Sequence, residues 1–349
     1  VSVELYGQVN KALLAVDDGE NTEFTIVDNE VSSTRMGLKG SQVLDNGMTA
    51  SVLLETELRD NPSDTVTQNT GTVSSATSNR TEATFVSRHA RVGLAGDWGA
   101  MFIGRQSTAT DSVTEQDLVG VQDMMYSGAA EDLAGAYQFR TTAGALSGNT
   151  VQLDNMDGAD RQNAIRYDSP IYNGFQGRLS IQQGGDTDMA VYYAGRYDAF
   201  EVNAAVGHVF FNDDQGVNTN VAAADPRIES QTSGSISAKH DSGLSAAVAY
   251  GVQSLENEAA SQDDPTFGYV KVGYEWDAFE VAADYTMRED TFTAGSAVEV
   301  ENDSFGLGAQ YNLGSGVSVA ATYRTIAGEV AGTDQEDLDL YGVNLRVKF

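Results

Sequence analysis

The last nine residues, Tyr341-Gly342-Val343-Asn344-Leu345-Arg346-Val347-Lys348-Phe349, put an apolar side chain at every odd position and a polar one or glycine at every even position. A period of two marks a β-strand with one oily face and one wet face. The pattern recurs in Leu244, Ala246, Val248 and Tyr250, in Val270, Val272, Tyr274 and Trp276, and in Phe279, Val281, Ala283 and Tyr285. Ser245, Ala247, Lys271, Glu275, Glu280 and Asp284 are among their alternates. Small and charged residues cannot fill a wide dry core, so the second face is expected to be wet. A strand that ends the chain needs a partner, and residues 3–9 (Val-Glu-Leu-Tyr-Gly-Gln-Val) offer one. If the two ends pair, the sheet closes and has no edges.

Along the chain this period gives about sixteen alternating segments in eight hairpins, the even strand number expected of bacterial outer-membrane barrels. The connections alternate between short and long. Leu44-Asp45-Asn46-Gly47, Asp97-Trp98-Gly99, Asp198-Ala199, Asp241-Ser242-Gly243, Asp277-Ala278 and Gly314-Ser315-Gly316 read as tight turns. Long connections fall near 17–30, 60–84, 107–160, 212–228, 256–265, 290–302 and 328–337. Aromatics bracket the turns in Tyr197-Asp198-Ala199-Phe200 and Trp276-Asp277-Ala278-Phe279, and Tyr172, Phe175, Tyr311, Leu313 and Phe349 fall at matching heights. Such a girdle suits a membrane interface. The fold class read from this is all-β: one closed antiparallel transmembrane barrel of 16 strands over residues 1–349, with a long third loop.

Composition narrows the function. With 51 acidic and 20 basic residues the formal charge is −31, which disfavours binding to nucleic-acid phosphates. The absence of cysteine excludes disulfides and thiolate metal sites. Mean hydropathy is −0.30, and no run of about 18 apolar residues could form a spanning helix, whereas a barrel exposes only alternate residues to lipid. The start at Val1 reads as the mature form of an exported protein. His89, His208 and His240 are the only histidines, and no nucleophile elbow, HExxH run or phosphate loop occurs, so no catalytic or metal residue is assigned. A soluble acidic adhesin or calcium module would show a short period of Asp-Gly motifs, which is missing.

Several stretches resemble the Gram-negative general diffusion porins, the trimeric sixteen-stranded outer-membrane channels. They are Val3-Glu4-Leu5-Tyr6-Gly7, Ser33-Thr34-Arg35-Met36-Gly37-Leu38-Lys39-Gly40, Arg91-Val92-Gly93-Leu94-Ala95-Gly96, Gly104-Arg105-Gln106, Asn163-Ala164-Ile165-Arg166-Tyr167-Asp168-Ser169-Pro170 and the closing Phe349, and together they run over nearly the whole chain. The resemblance implies that residues 107–160 fold into the barrel and narrow it, with extra residues around 139–155. That segment carries Asp111, Glu115, Asp117, Asp123, Glu131 and Asp132, of which Asp117 and Asp123 match the family's constriction acids best. A basic ladder of Arg35, Lys39, Arg91, Arg166 and Arg324 is implied on the facing wall, and opposed charges across a narrow gap set up a transverse field.

The resemblance further implies a homotrimer, with a latching loop at 60–84 and Arg105 near the subunit contact. Outer-membrane lipid and lipopolysaccharide are the implied surroundings, and small ions and hydrophilic solutes the implied cargo. No cofactor is called for. Divalent cations at the acidic outer loops, such as Asp17, Asp18, Glu20 and Glu23 or Asp334, Glu336 and Asp337, are weighed against simple solvation of those acids. The resulting expectation is a passive, water-filled pore that prefers cations, with a channel tuned to one solute as the alternative.

Overall fold

The computed structural model describes residues 1–68, 83–212, 228–256, 263–292 and 298–349. The strands are β1 (Ser2–Asp17), β2 (Thr22–Asp28), β3 (Arg35–Val43), β4 (Thr49–Arg59), β5 (Thr84–Gly96), β6 (Gly99–Ser107), β7 (Gln138–Arg140), β8 (Leu146–Thr150), β9 (Arg161–Asp168) and β10 (Phe175–Gln182). They continue as β11 (Thr187–Tyr197), β12 (Phe200–Phe210), β13 (Ile228–His240), β14 (Leu244–Leu255), β15 (Thr266–Trp276), β16 (Phe279–Phe292), β17 (Glu299–Gly314), β18 (Val317–Val330), β19 (Thr333–Asp334) and β20 (Leu338–Lys348). All but β7 and β8 join one antiparallel sheet of 18 described segments. Because β2 and β3 pair with successive halves of β1, they fill one position in the wall. With β19 a two-residue rim extension, the wall is a closed barrel of 16 strands.

Closure occurs between the chain ends. Residues 8–17 of β1 pair with 348–339 of β20, while residues 2–8 pair with β3, so the seam lies higher on β1 than the 3–9 stretch read from sequence. The last residue completes it: Gly7 and Phe349 exchange backbone N–H···O bonds of 3.0 Å each. A Cβ at Gly7 would sit 2.7 Å from the Phe349 ring, which is why glycine stands there.

Side chains separate as the alternation predicts. Leu5, Ile103, Ile181, Val206, Ile236, Val272, Leu307 and Leu345 are exposed on the outer face. Asn10, Gln106, Gln231, Ser237, Ser245, Lys271, Thr286, Ser318 and Asn344 are buried on the inner one. Around the turn end, Tyr274, Trp276, Phe279 and Tyr311 stack in a row with ring centroids 5.8, 5.6 and 4.6 Å apart. Asp198 and Asp277 adopt φ of 51°, the left-handed conformation that two-residue hairpins use and Asp tolerates. Val272→Arg, a charge on the lipid face, is expected to cost about 2–4 kcal/mol near mid-depth, measured by reversible unfolding in lipid vesicles.

The interior departs from a uniformly wet lumen. The connection between β6 and β9 runs inside the barrel, and its Val119, Val121, Met124, Met125, Leu133, Tyr137, Phe139, Val151 and Leu153 form an apolar cluster with Leu14, Val16, Ile326, Leu338 and Leu340 of the wall. A short helix, α1 (Ala129–Ala134), and the β7–β8 hairpin belong to this filling. The hairpin accounts for much of the stretch read from sequence as extra, 139–155. Most of the 60–84 loop and of the 212–228 connection lies outside the described residues.

Candidate functional site: a charged passage beside the inner segment

Three adjacent strands bring basic side chains to the lumen. Arg35 begins β3, Arg59 ends β4, and Arg88 lies in β5 at a bulge where the register slips between Glu55 and Thr56. By simple alternation Arg88 would oppose Arg91 and face lipid. The extra residue of the bulge re-phases the strand and turns it inward, where Nε donates to Glu55 Oε1 at 2.7 Å and Nη1 to Glu57 Oε2 at 2.9 Å. Arg59 is held by Asp64 at 2.6 Å, with Glu57 and Glu30 at 3.7 and 3.8 Å. Arg161, where the inner segment rejoins the wall, pairs with Asp160 at 2.9 Å and reaches Asp111 at 4.0 Å. Arg35 has no carboxylate within ion-pair distance among the described residues; its Nη2 donates to Ser32 Oγ at 3.4 Å.

Opposite them stands the inner segment. Asp111, Glu115, Asp117, Asp154, Asp157 and Asp160 line one cavity of about 590 Å³ together with Arg35, Arg59, Arg88, Arg161 and Arg346. The segment is fixed to the wall over much of its length. Ser180 and Asp188 receive its start at Ala109 and Thr110, with Ala109 N donating to Ser180 Oγ at 3.0 Å and Thr110 N to Asp188 at 2.8 Å. Gln116 N donates to Ser235 Oγ at 2.9 Å, Val121 N to Glu280 at 2.6 Å and Gln152 N to Asn302 at 2.7 Å. Asp157 binds the backbone N–H groups of Ser112 and Thr114 at 2.7 and 3.2 Å, tying exit to entry.

Burial raises four acids of this segment, Glu115, Glu131, Asp132 and Asp157. The Glu115 carboxyl is pushed up to about 7 by desolvation and by Asp111 beside it, against a hydrogen bond from Asn155. Burial likewise lifts Asp157 and Asp132 well above the carboxylate range, while Tyr126 donates its hydroxyl to Asp132.

Of the acids read from sequence, Asp111, Glu115, Asp117 and Asp132 lie in the cavity wall. Asp123 does not: it is 0 % exposed, clamped between Arg346 and Ser318 where the segment meets β18 and β20. Among the bases Arg35 lines the cavity, and the other four lie elsewhere. Lys39 is four residues nearer the turn end of β3, against Glu4 at 3.6 Å and the Tyr6 ring. Arg91 stacks on Phe102 at 4.0 Å. Arg166 forks onto Asp168 at 2.9 and 3.0 Å, and Arg324 is buried behind the segment on Asp284 at 2.8 Å. Arg105 faces outward on β6, with Nε donating to Ser87 O at 2.7 Å. Arg59, Arg161 and Arg346 escaped the sequence reading, although Arg59 and Arg346 share the inward parity of their strands.

The family described as Gram-negative porin matches residues 1–330. The chain belongs to that family. It is therefore an outer-membrane β-barrel channel for solute diffusion. No curated protein sequence matches significantly. Among solved structures it resembles an anion-selective porin from Comamonas acidovorans, with 18 % identity, TM-score 0.62, and 100 % of this chain and 99 % of that one covered. The trimer form of OmpT from Vibrio cholerae gives 15 %, 0.59, 100 % and 99 %. OmpF of Salmonella typhi, in complex with daunomycin, gives 16 %, 0.61, 99 % and 97 %.

Proposed function

We propose that this porin is a homotrimeric, passive channel in which ions and small hydrophilic solutes pass between the inner segment and the β3–β5 wall, with cations favoured and no chemistry performed. The observation that carries the reading is that Arg35, Arg59 and Arg88 of the wall share one cavity of about 590 Å³ with Asp111, Glu115 and Asp160 of the inner segment. A field directed across the axis orients dipolar solutes and penalises apolar ones, because water no longer screens the charges fully. Cation preference follows from what surrounds the passage. Glu289, Glu301, Asp303, Glu329 and Asp334 border one recess at the loop end, and the whole chain carries −31. A negative mouth concentrates cations and repels anions before they enter. The trimer rests on the family and on the OmpT trimer form, and Arg105 is assigned to the subunit contact because a guanidinium on the outer face is costly against lipid.

Reversal potentials across a planar bilayer in a KCl gradient test the preference. The expected sign is that of a cation-selective pore, weakening at 1 M salt, where the screening length falls to about 3 Å. An anion-selective sign refutes it. Arg35→Gln removes positive charge without stripping any carboxylate of its partner, so cation permeability relative to chloride is expected to rise by about threefold, the effect of a unit charge ~6 Å from the ion path acting oppositely on the two ions in a water-like dielectric and screened by ~0.1 M salt.

A further inference from the structure

Lys271 sits in the middle of β15 on the inward parity and is 0 % exposed. A buried ammonium is stable only when its donors are met and its charge opposed. Here all three hydrogens have acceptors: Asp117 Oδ2 at 2.9 Å, Met125 O at 2.8 Å and Val119 O at 3.4 Å. The three acceptors come from both ends of one bend of the inner segment, so a single nitrogen gathers residues 117–125 against the wall. The wall is cut to receive them. Ala247, across from Lys271, and Ala282, across from Gly273, are small, and a Cβ at Gly273 would lie 2.5 Å from Val119. The other oxygen of Asp117 is also engaged, accepting from Val119 N at 2.7 Å.

We infer that Lys271 is a positioning residue for the channel: it pins the 117–125 bend and cancels the charge of Asp117, leaving ion preference to the other lining carboxylates. This deepens the proposed passage and rests on it. Asp117 lines the cavity, yet a carboxylate compensated at contact distance presents a dipole to a passing ion rather than a full charge, and a dipole's field dies away faster. Among the described residues Glu115 and Asp111 have no such contact: Glu115 accepts a neutral amide N–H from Asn155, and Asp111 is 4.0 Å from Arg161.

The test is a double-mutant cycle read by reversal potential and open-channel noise on refolded trimers in planar bilayers. Lys271→Met keeps the stem and removes the charge, so Asp117 is left uncompensated and cation permeability relative to chloride should rise about threefold. Asp117→Asn should shift it the opposite way by a similar factor, since it uncovers the ammonium. The double variant should return to the wild-type ratio while keeping the raised current noise of Lys271→Met, because the bend has lost its pin but the charges again balance. Should Lys271→Met fail to refold, the double variant alone, compared with Asp117→Asn, still reads the coupling. An Asp117→Asn shift that survives unchanged in the double variant, or a Lys271→Met channel as quiet and as selective as wild type, overturns the inference. Glu115→Gln, measured in parallel at pH 8, separates the two levels. If it reduces cation preference while the cycle shows no coupling, the pin is wrong and the passage stands; if it too has no effect, the passage itself is misplaced.

Discussion

Replacing residues 138–150 by a Gly-Ser-Gly bridge is expected to roughly double the single-channel conductance, because a sixteen-strand wall encloses far more space than this chain leaves open. The splice is short: Val151 N already donates to Tyr137 O at 3.3 Å, so the two ends lie side by side. Among the described residues the β7–β8 hairpin forms its own two-stranded sheet and is bridged to the rest of the chain at Arg140 with Glu336, so no wall strand loses its neighbour. What the deletion removes is filling. Phe139 is fully buried, and its ring occupies the space above Gly328, where a Cβ would stand 2.8 Å away. Arg140 leaves its ion pair with Asp18 at 2.9 Å, and Gln68 loses its contact with Gln138. Heat stability should fall as the cluster with Ile326 and Leu338 is opened. Single-channel recording in 1 M KCl gives the answer; an unchanged conductance would mean that ions never approach this side of the lumen.

The barrel was legible because lipid and water enforce one rule on every strand. Outward Val270, Val272 and Tyr274 and inward Lys271 and Gly273 obey it, and Asp198 and Asp277 mark hairpins by their chemistry alone. The lining of the charged cavity follows that rule only where it holds without interruption. Arg35, placed on the inner wall by the family resemblance, keeps its parity at the start of β3 and lines the cavity. Arg88 sits on a bulge, and one inserted residue reverses the face of everything on its far side, so alternation counted from Arg91 sends it to lipid. Alternation also gives a face without a height. Lys39 and Arg91 point inward, but toward the turn end, and Arg324 points inward behind the apolar filling. The inner segment has no period at all. Whether Asp117 or Asp123 meets water depends on Lys271 and Arg346, which stand 154 and 223 residues further along the chain. The dry cluster was invisible for the same reason, since Val119, Met125 and Leu153 read as scattered apolar residues in a polar loop.

Cation preference is expected to rise with pH between about 5 and 8, with its midpoint near neutrality. Glu115 carries the argument, since desolvation and the nearby Asp111 carboxylate hold its proton up to about 7. Below that value the passage has lost one negative charge; above it the charge is present and draws cations. The apparent midpoint belongs to Glu115 together with Asp157, because Asp111 raises both and Glu115 also raises Asp157. The same shift fixes how tightly the segment is held. A carboxyl whose proton is bound more firmly in the packed segment than in the free chain stabilises the packing relative to neutral pH once the medium is acidic. That contribution is full below the ordinary carboxyl value of 4.5 and is lost as the pH climbs to about 7. Acid should therefore give a quieter and less cation-selective channel, and mild alkali a noisier and more selective one. Glu115→Gln should flatten both profiles at their low-pH level. A reversal potential that follows the same pH curve in wild type and Glu115→Gln would place the titrating group elsewhere, and the outer rim acids around Glu301 and Glu329 would be the next to substitute.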